Sequence, residues 1–272
     1  MTVDAPTADE LRTAIADRQW YHTLELARGV VTPGWFDTRP VAAKIPMPGS
    51  LAGKRCLDVG TFDGFWAFEM ERRGADEVVA IDVIDPYQWD WPADTPPDVV
   101  AALDQRKHGG SGFHVASRAL GSRVQWHERS VYDLDPAELG QFDFVYFGSL
   151  LLHLRDPIRA LQRARAACRG ELLLVDAVDP LLSLVLARVP CASLDGVRRP
   201  WWWRPNVAAL VRMVEAAGFT LAQAPQRLRM PPGPGQQSPP ISLAVLRGRS
   251  SRRALFDARI GDPHAAILAR AA

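Results

Sequence analysis

Lysine is scarce in this chain: Lys44, Lys54 and Lys107 are all there is among 32 basic residues. Acidic residues number 31, so the formal net charge is +1 and no chain-wide positive field draws in nucleic acid or an anionic membrane. A local basic patch stays open. Cysteine is equally sparse. Cys56, Cys168 and Cys191 are widely spaced, offer neither a metal-type pair nor an even disulfide framework, and fit a reducing compartment. No metal site is expected, and Cys56 and Cys168 read as small core residues. No apolar run reaches membrane-spanning length, and the opening MTVDAPTADELR lacks a basic and apolar leader. A cytoplasmic protein with no membrane partner is expected. Also missing is the dinucleotide fingerprint G-x-G-x-x-G, since positions 60, 62 and 65 hold Gly60, Phe62 and Phe65.

What is present suits one large α/β domain with extensions: 272 residues, 47% of them hydrophobic. Leu11, Ile15, Trp20, Leu24 and Leu26 are spaced for a helix from Ala8 to about Ala27 that turns extended near His22. KRCLDVGT, EVVAIDV, RVQWHERSV, FDFVYFGSLLLHL and GELLLVDAVD read as strands, with FWAFEMERRGA and DPIRALQRARAACRG as helices. Such alternation predicts a parallel sheet covered on both faces. Three segments interrupt it. Asp85 to Leu120 is rich in Pro and Gly and ends in a helix, and Leu181 to Asn206 is an insertion carrying Trp201, Trp202 and Trp203 before the helix VAALVRMVEAAGF. Arg229 to Pro240 is a loop between a strand near Phe219 to Gln223 and ISLAVLRG. The last stretch, RRALFDARIGDPHAAILARAA, carries little signal.

The chemistry concentrates in Leu57-Asp58-Val59-Gly60-Thr61-Phe62-Asp63-Gly64, where the first strand meets the first helix. Glycines there let the backbone approach a ligand, and Asp82, ending the second strand, is placed to grip a ribose diol. A dinucleotide site and a nucleoside site without pyrophosphate both use this arrangement, and the missing glycines exclude the first.

LDVGTFDGFWAFEM, VVAIDV, RSVYDL and FDFVYFGSLLLHLRDP resemble, in order, the motifs of class I S-adenosylmethionine-dependent methyltransferases. The resemblance implies a Rossmann-like α/β fold with a mostly parallel seven-stranded sheet, helices on both faces, and S-adenosyl-L-methionine as cofactor. Asp58, Gly60 and Gly64 would line its methionine part, Asp82 its ribose, and Val131, Tyr132 and Asp133 its adenine. Thr61, Phe62, Asp63, Val83, Gly148 and Ser149 would complete the lining. Phe62 departs from the family's middle glycine. WYHTLEL, VVTPGWFD and WWWRPNVAALVRMVEAAGF are similar to a narrower group, the relatives of the tRNA wobble-uridine 5-oxyacetic acid methyltransferases. The expected organisation is a strap or lid over 1–50, the cofactor domain over 51–248 with a substrate-side insertion at 181–206, and a tail over 249–272.

Two histidines suit a general base. His153 follows the fourth strand, where it is either catalytic or a hydrogen-bonded strand-end histidine, and His22 sits between aromatics on the strap. Tyr146, near His153, alternates inward and reads as core. Trp20, Tyr21 and Trp35 of the strap and Trp201, Trp202 and Trp203 are the candidate substrate wall. Three consecutive tryptophans cannot all point inward, so at least one faces a pocket or an oligomer contact such as a homodimer's. Asp85, Trp89 and Trp91 border the adenosine pocket or anchor their loop. Arg129, Arg155, Arg198 and Arg199 bind an anionic substrate or are solvated surface. The expected activity is methylation of an O or N atom of a small molecule, in natural product biosynthesis. The alternatives are tRNA methylation and a non-catalytic cofactor-binding protein.

Overall fold

Apolar runs bounded by glycine become buried strands, and the amphipathic runs between them become covering helices. The computed structural model describes residues 6–194, 201–236, 238 and 249–272. Strands β1 (Arg55–Val59), β2 (Glu77–Asp82), β3 (Gln125–Glu128), β4 (Phe142–Gly148) and β5 (Cys168–Ala177) are parallel, in the spatial order β3-β2-β1-β4-β5. β6 (Phe219–Leu221) and β7 (Gln226–Met230) follow end to end along one edge of β8 (Asp262–Ala271), whose other edge pairs antiparallel with β5. The expected seven-stranded sheet is thus present as seven positions, with one position split between two strands.

Helices cover both faces. α1 (Ala8–Ala16) opens the strap, capped by Thr7 and Glu10 in a reciprocal capping box. α2 (Phe65–Arg72), α3 (Pro97–Lys107) and α4 (Ser111–Leu120) follow in the first half; α5 (Pro157–Ala167), α6 (Pro180–Val185), α7 (Val207–Ala216) and α8 (Arg249–Ile260) in the second. Leu11, Trp20, Trp66, Phe68 and Phe113 form one core with the strap, while Leu161, Ala164, Leu210 and Val214 pack on the opposite face. Leu172, Leu173, Leu174 and Val175 of β5 are fully buried, which is why GELLLVDA reads as an unbroken apolar run. Cys56, Cys168 and Tyr146 are core residues, as expected.

Three expectations need correction. The N-terminal helix stops at Ala16, and Trp20–His22 is already a strand, paired in parallel with Gly34–Phe36. Trp20 Nε1 donates to the Ile15 carbonyl at 3.3 Å, so the side chain that looked helical closes the helix instead. Residues 229–240 are not wholly irregular: Arg229 and Met230 end β7, and Gly233 and Gly235 donate to the carbonyls of Trp35 and Gly34 at 2.8 and 3.0 Å. The tail, residues 249–272, supplies α8 and the strand β8, which lies inside the sheet between β5 and the edge formed by β6 and β7. ISLAVLRG lies outside the described residues.

Candidate functional site

The carboxyl ends of the parallel strands gather on one edge, and the antiparallel β8 brings its first residues to the same edge, His264 opposite Ala177. Open α/β sheets bind ligands outside this edge.

After β1 the chain turns sharply. Gly60 and Gly64 have φ of +75° and +93°, and Phe62 between them holds +52°, a left-handed conformation unusual for a phenylalanine. That strain is held by a hydrogen bond from the Phe62 N–H to Asp82 Oδ2 at 2.7 Å. Asp82 also accepts from the Val83 N–H at 2.7 Å and pairs with Lys107 Nζ at 2.5 Å. Lys107 is buried, donates to the Val83 carbonyl at 2.8 Å, and lies over the rings of Phe62 and Trp89. Burial pulls its ammonium below the usual lysine range, with Asp82 opposing. Phe62, Asp63, Asp82, Lys107, Ile84 and Trp126 line a cavity there.

Asp58 is buried at the end of β1, and its Oδ2 has no hydrogen-bond partner. Burial pushes its carboxyl up to about 7, with the neighbouring Thr61 hydroxyl and His22 opposing the rise and Asp82 adding to it. Thr61 is buried and its carbonyl accepts the Gly64 N–H at 2.9 Å. Asp63 points to the strap. It accepts the N–H groups of Tyr21 and His22 at 2.7 and 3.0 Å and pairs with His22 Nδ1. His22 is 4% exposed and its ring stacks on Phe65, so the histidine read as a base clamps the strap to the first loop.

On the adenine side, Val131 is buried and Asp133 exposed. The Tyr132 hydroxyl donates to Asp90 Oδ2 at 2.6 Å and accepts from the Asp156 N–H at 3.0 Å. Asp90 also joins the insertion, since Trp202 Nε1 donates to its carbonyl at 2.7 Å. Trp203 Nε1 donates to the Leu151 carbonyl at 3.3 Å, and Arg204 lies over the Trp201 ring. All three tryptophans are half-buried. Trp89 Nε1 donates to the Val83 carbonyl at 3.1 Å and stacks on Trp91, which anchors that loop beside the cavity's edge. Arg129 bonds the Asp133 carbonyl and Glu138. Arg198 and Arg199 lie outside the described residues.

A second cluster stands after β4 and β5. Gly148 has no room for a side chain, because a Cβ would meet the Tyr146 hydroxyl at 2.6 Å. Ser149 follows at φ +50°, with its Oγ 3.0 Å from His264 Nε2. His264 is 2% exposed, and its Nδ1 is 3.0 Å from the Asp262 carbonyl. Asp176 accepts the N–H groups of Leu150, Leu151 and Ala177, and burial pushes its carboxyl above the usual range. Tyr21 comes to this side from the strap, its ring packed between Phe36 and Phe62, and burial pushes its hydroxyl well above the usual tyrosine range. His153 ends the turn Leu151–His153, half-buried, its N–H donating to Leu150. Trp20 is core rather than substrate wall, while Trp35 is half-buried on the strap.

Sequence reasoning missed Lys107 and the Asp176, Asp262 and His264 group. Lysine's scarcity was the one signal for Lys107; His264 sat in the stretch read as a tail.

Among curated proteins, the chain is 31% identical over 176 residues to the tRNA U34 carboxymethyltransferase of Pseudomonas aeruginosa (strain LESB58), covering 64% of this chain and 47% of that protein. The namesake from Stutzerimonas stutzeri (strain A1501) is 29% identical over 170 residues, covering 62% and 46%. The chain therefore spans about half the length of the curated relatives it matches. Among solved structures, the N-terminal domain of EvdMO1 in the presence of SAH and D-fucose has a TM-score of 0.53 at 16% identity, covering 98% of both chains. Magnesium protoporphyrin IX methyltransferase from Synechocystis PCC 6803 with bound SAH has 0.51 at 14%, covering 86% of this chain and 81% of that one. These likenesses show the Rossmann-like methyltransferase fold. A family model described as a methyltransferase domain matches residues 36–224, most of the sheet and its helices, and the chain belongs to that family.

Proposed function

We propose that the chain is an S-adenosylmethionine-dependent methyltransferase that methylates an O or N atom of a small molecule. The observation that carries the cofactor is Asp58: a buried carboxylate oxygen without a partner, beside a turn whose glycines leave the backbone bare, suits the cofactor's ammonium group. Asp82 fits the ribose diol. Three donors occupy it, and a carboxylate accepts about four hydrogen bonds. Val83, Val131 and Tyr132 would flank the adenine, and Gly148 and Ser149 the transferable methyl. When bound, S-adenosylmethionine supplies a methyl already activated on a sulfonium, which leaves as the C–S electron pair stays on sulfur. The chain's own contribution is to hold the acceptor in line and keep water out.

What supports a small acceptor is the roof over the edge. The strap is fixed to the first loop by Asp63 and to residues 231–235 by backbone hydrogen bonds, and the insertion is fixed by Trp202 and Trp203. A second reading, action on tRNA, draws on the names of the curated relatives.

Calorimetry with S-adenosylhomocysteine tests the site: the wild type binds, and Asp82→Ala and Gly60→Val lose affinity. Unchanged affinity in both variants refutes the assignment. Filter binding of tRNA then separates the two acceptors, because RNA binding must weaken steeply with salt. Cofactor binding with no transfer to any acceptor would instead leave a non-catalytic binding protein.

A further inference from the structure

Resting on the methyltransferase reading, we infer that Arg204 is a specificity-determining residue of the acceptor site, its Nε and Nη1 groups taking an uncharged oxygen of the acceptor molecule such as a ketone or amide carbonyl. The residue is 4% exposed. One end of its guanidinium is engaged, since Nη2 donates to Asp262 Oδ1 and Oδ2 at 3.0 and 3.2 Å. Nε and Nη1 are buried too and have no hydrogen-bond partner among the described residues. Protein interiors rarely leave such donors unmet, and the positive charge raises the cost of doing so. A structural ion pair accounts for Nη2 and leaves the other two nitrogens with no reason to be buried.

The surroundings put these donors on the acceptor's side of the cleft. Arg204 and Pro205 pair antiparallel with Ser193 and Ala192 inside the insertion, and the Asp179 N–H donates to the Pro205 carbonyl at 2.8 Å, which ties that pair to the chain leaving β5. Asp262 opens β8. Its carbonyl is 3.0 Å from His264 Nδ1, and His264 Nε2 is 3.0 Å from Ser149 Oγ, so two residues bridge Arg204 to the end of β4, where the transferable methyl is proposed to lie. The Trp201 ring centre lies 5.6 Å from the guanidinium carbon and covers one face of the cation. A ligand oxygen has to arrive in the guanidinium plane, where the N–H bonds of Nε and Nη1 point.

Charge decides the kind of oxygen. Asp262 already balances Arg204, and Asp179, also buried, accepts the hydroxyl of Ser193, the residue paired with Arg204, at 3.1 Å. A further carboxylate or phosphate on Arg204 would bury negative charge in excess of its one positive charge. A carbonyl brings lone pairs and no charge, and meets the donors without that penalty.

The test uses the full chain and Arg204→Lys, which keeps a cation for Asp262 and has no counterpart of Nε and Nη1. Arg204→Gln combined with Asp262→Asn removes both charges together and serves where the first variant does not fold. Calorimetry with S-adenosylhomocysteine comes first. Binding in the wild type and in one variant isolates the role of Arg204 from the methyltransferase reading, whose failure would show as no binding in the wild type; loss in both variants makes Arg204 structural and overturns the role. With S-adenosylhomocysteine bound, acetophenone, benzamide, benzoate and ethylbenzene are then titrated, four probes of similar size that differ in oxygen and charge. Proton–nitrogen NMR follows the Arg204 Nε–H signal, assigned by its absence from the variant. Acetophenone or benzamide should move that signal and bind about tenfold or more tighter than ethylbenzene and benzoate, and the variant should lose this preference. A signal held by a buried water and unmoved by all four probes, tighter binding of benzoate, or an unchanged preference in the variant overturns the role.

Discussion

Lys107 Nζ stands 2.5 Å from Asp82 Oδ1 and 2.8 Å from the Val83 carbonyl, so the carboxylate proposed for the ribose already carries a buried cation. Removing that cation leaves a carboxylate with weaker compensation and more free acceptor capacity. Lys107→Met is therefore expected to lose about 3 kcal/mol of stability. Its melting temperature should rise more on adding S-adenosylhomocysteine than the wild type's does. The pH signature has a definite sign. A lysine pulled below its ordinary value in the folded state binds fewer protons there than when unfolded, so stability rises with pH between the lowered value and the ordinary one. Denaturant titrations across alkaline pH should find this rise in the wild type and not in Lys107→Met.

Asp58 makes the opposite prediction. Its carboxyl is raised from 3.8 to about 7, so the folded state holds the proton more tightly. The associated stability is full below 3.8 and is lost as pH rises through about 7. At about 1.4 kcal/mol per pH unit the span amounts to about 4 kcal/mol. Asp58→Asn, neutral throughout, should be more stable than the wild type at pH 8 by something approaching that, and level with it near pH 4. The same change should cost affinity for S-adenosylhomocysteine. Equal stability at pH 8 would show that the carboxylate is not destabilised by its burial.

The order of elements was legible because buried strands read as apolar runs and their helices as amphipathic ones. Arg55–Val59, Glu77–Asp82 and Phe142–Gly148 lie where LDVG, VVAID and FVYFG put them. Hidden from the sequence was whatever depends on contacts between distant segments. His264 lies in an alanine-rich strand of weak β propensity, and only its pairing with β5 carries it to Ser149, 115 residues away. Asp63 looked like part of the cofactor loop because its neighbours are, yet its carboxylate faces a strap 41 residues earlier. Trp20 looked like a substrate wall by composition, and only the fold shows it closing α1.

The Asp63 clamp predicts a separable strap. One carboxylate takes two backbone N–H groups and the His22 ring, all buried or half-buried. Asp63→Ala leaves these donors unmet and is expected to cost about 3 kcal/mol. The loss should be local. Limited proteolysis should cut near residues 17–38 much faster than in the wild type, while fragments from the central sheet stay protected. Uniform acceleration across the chain would instead make Asp63 part of the global core.

The two glycines of the first turn should fail in different ways. At Gly64 a Cβ would stand 2.6 Å from Phe68 Cζ and 2.8 Å from Phe113 Cδ2, in the packed core, at φ +93°. At Gly60 the nearest atom is Leu150 Cδ2 at 3.0 Å, the end of a side chain that can turn away. Gly64→Ala thus combines backbone strain with overpacking and should lose about 2–4 kcal/mol. Gly60→Ala has the strain but room to relax, and should lose about 1 kcal/mol. Binding should order them the other way per unit of stability lost, because the Gly60 methyl group projects toward the loop proposed to receive the cofactor. Thermal melts and calorimetry with S-adenosylhomocysteine on both variants read the two effects separately. A Gly60→Ala protein with wild-type affinity would place the ligand away from this turn.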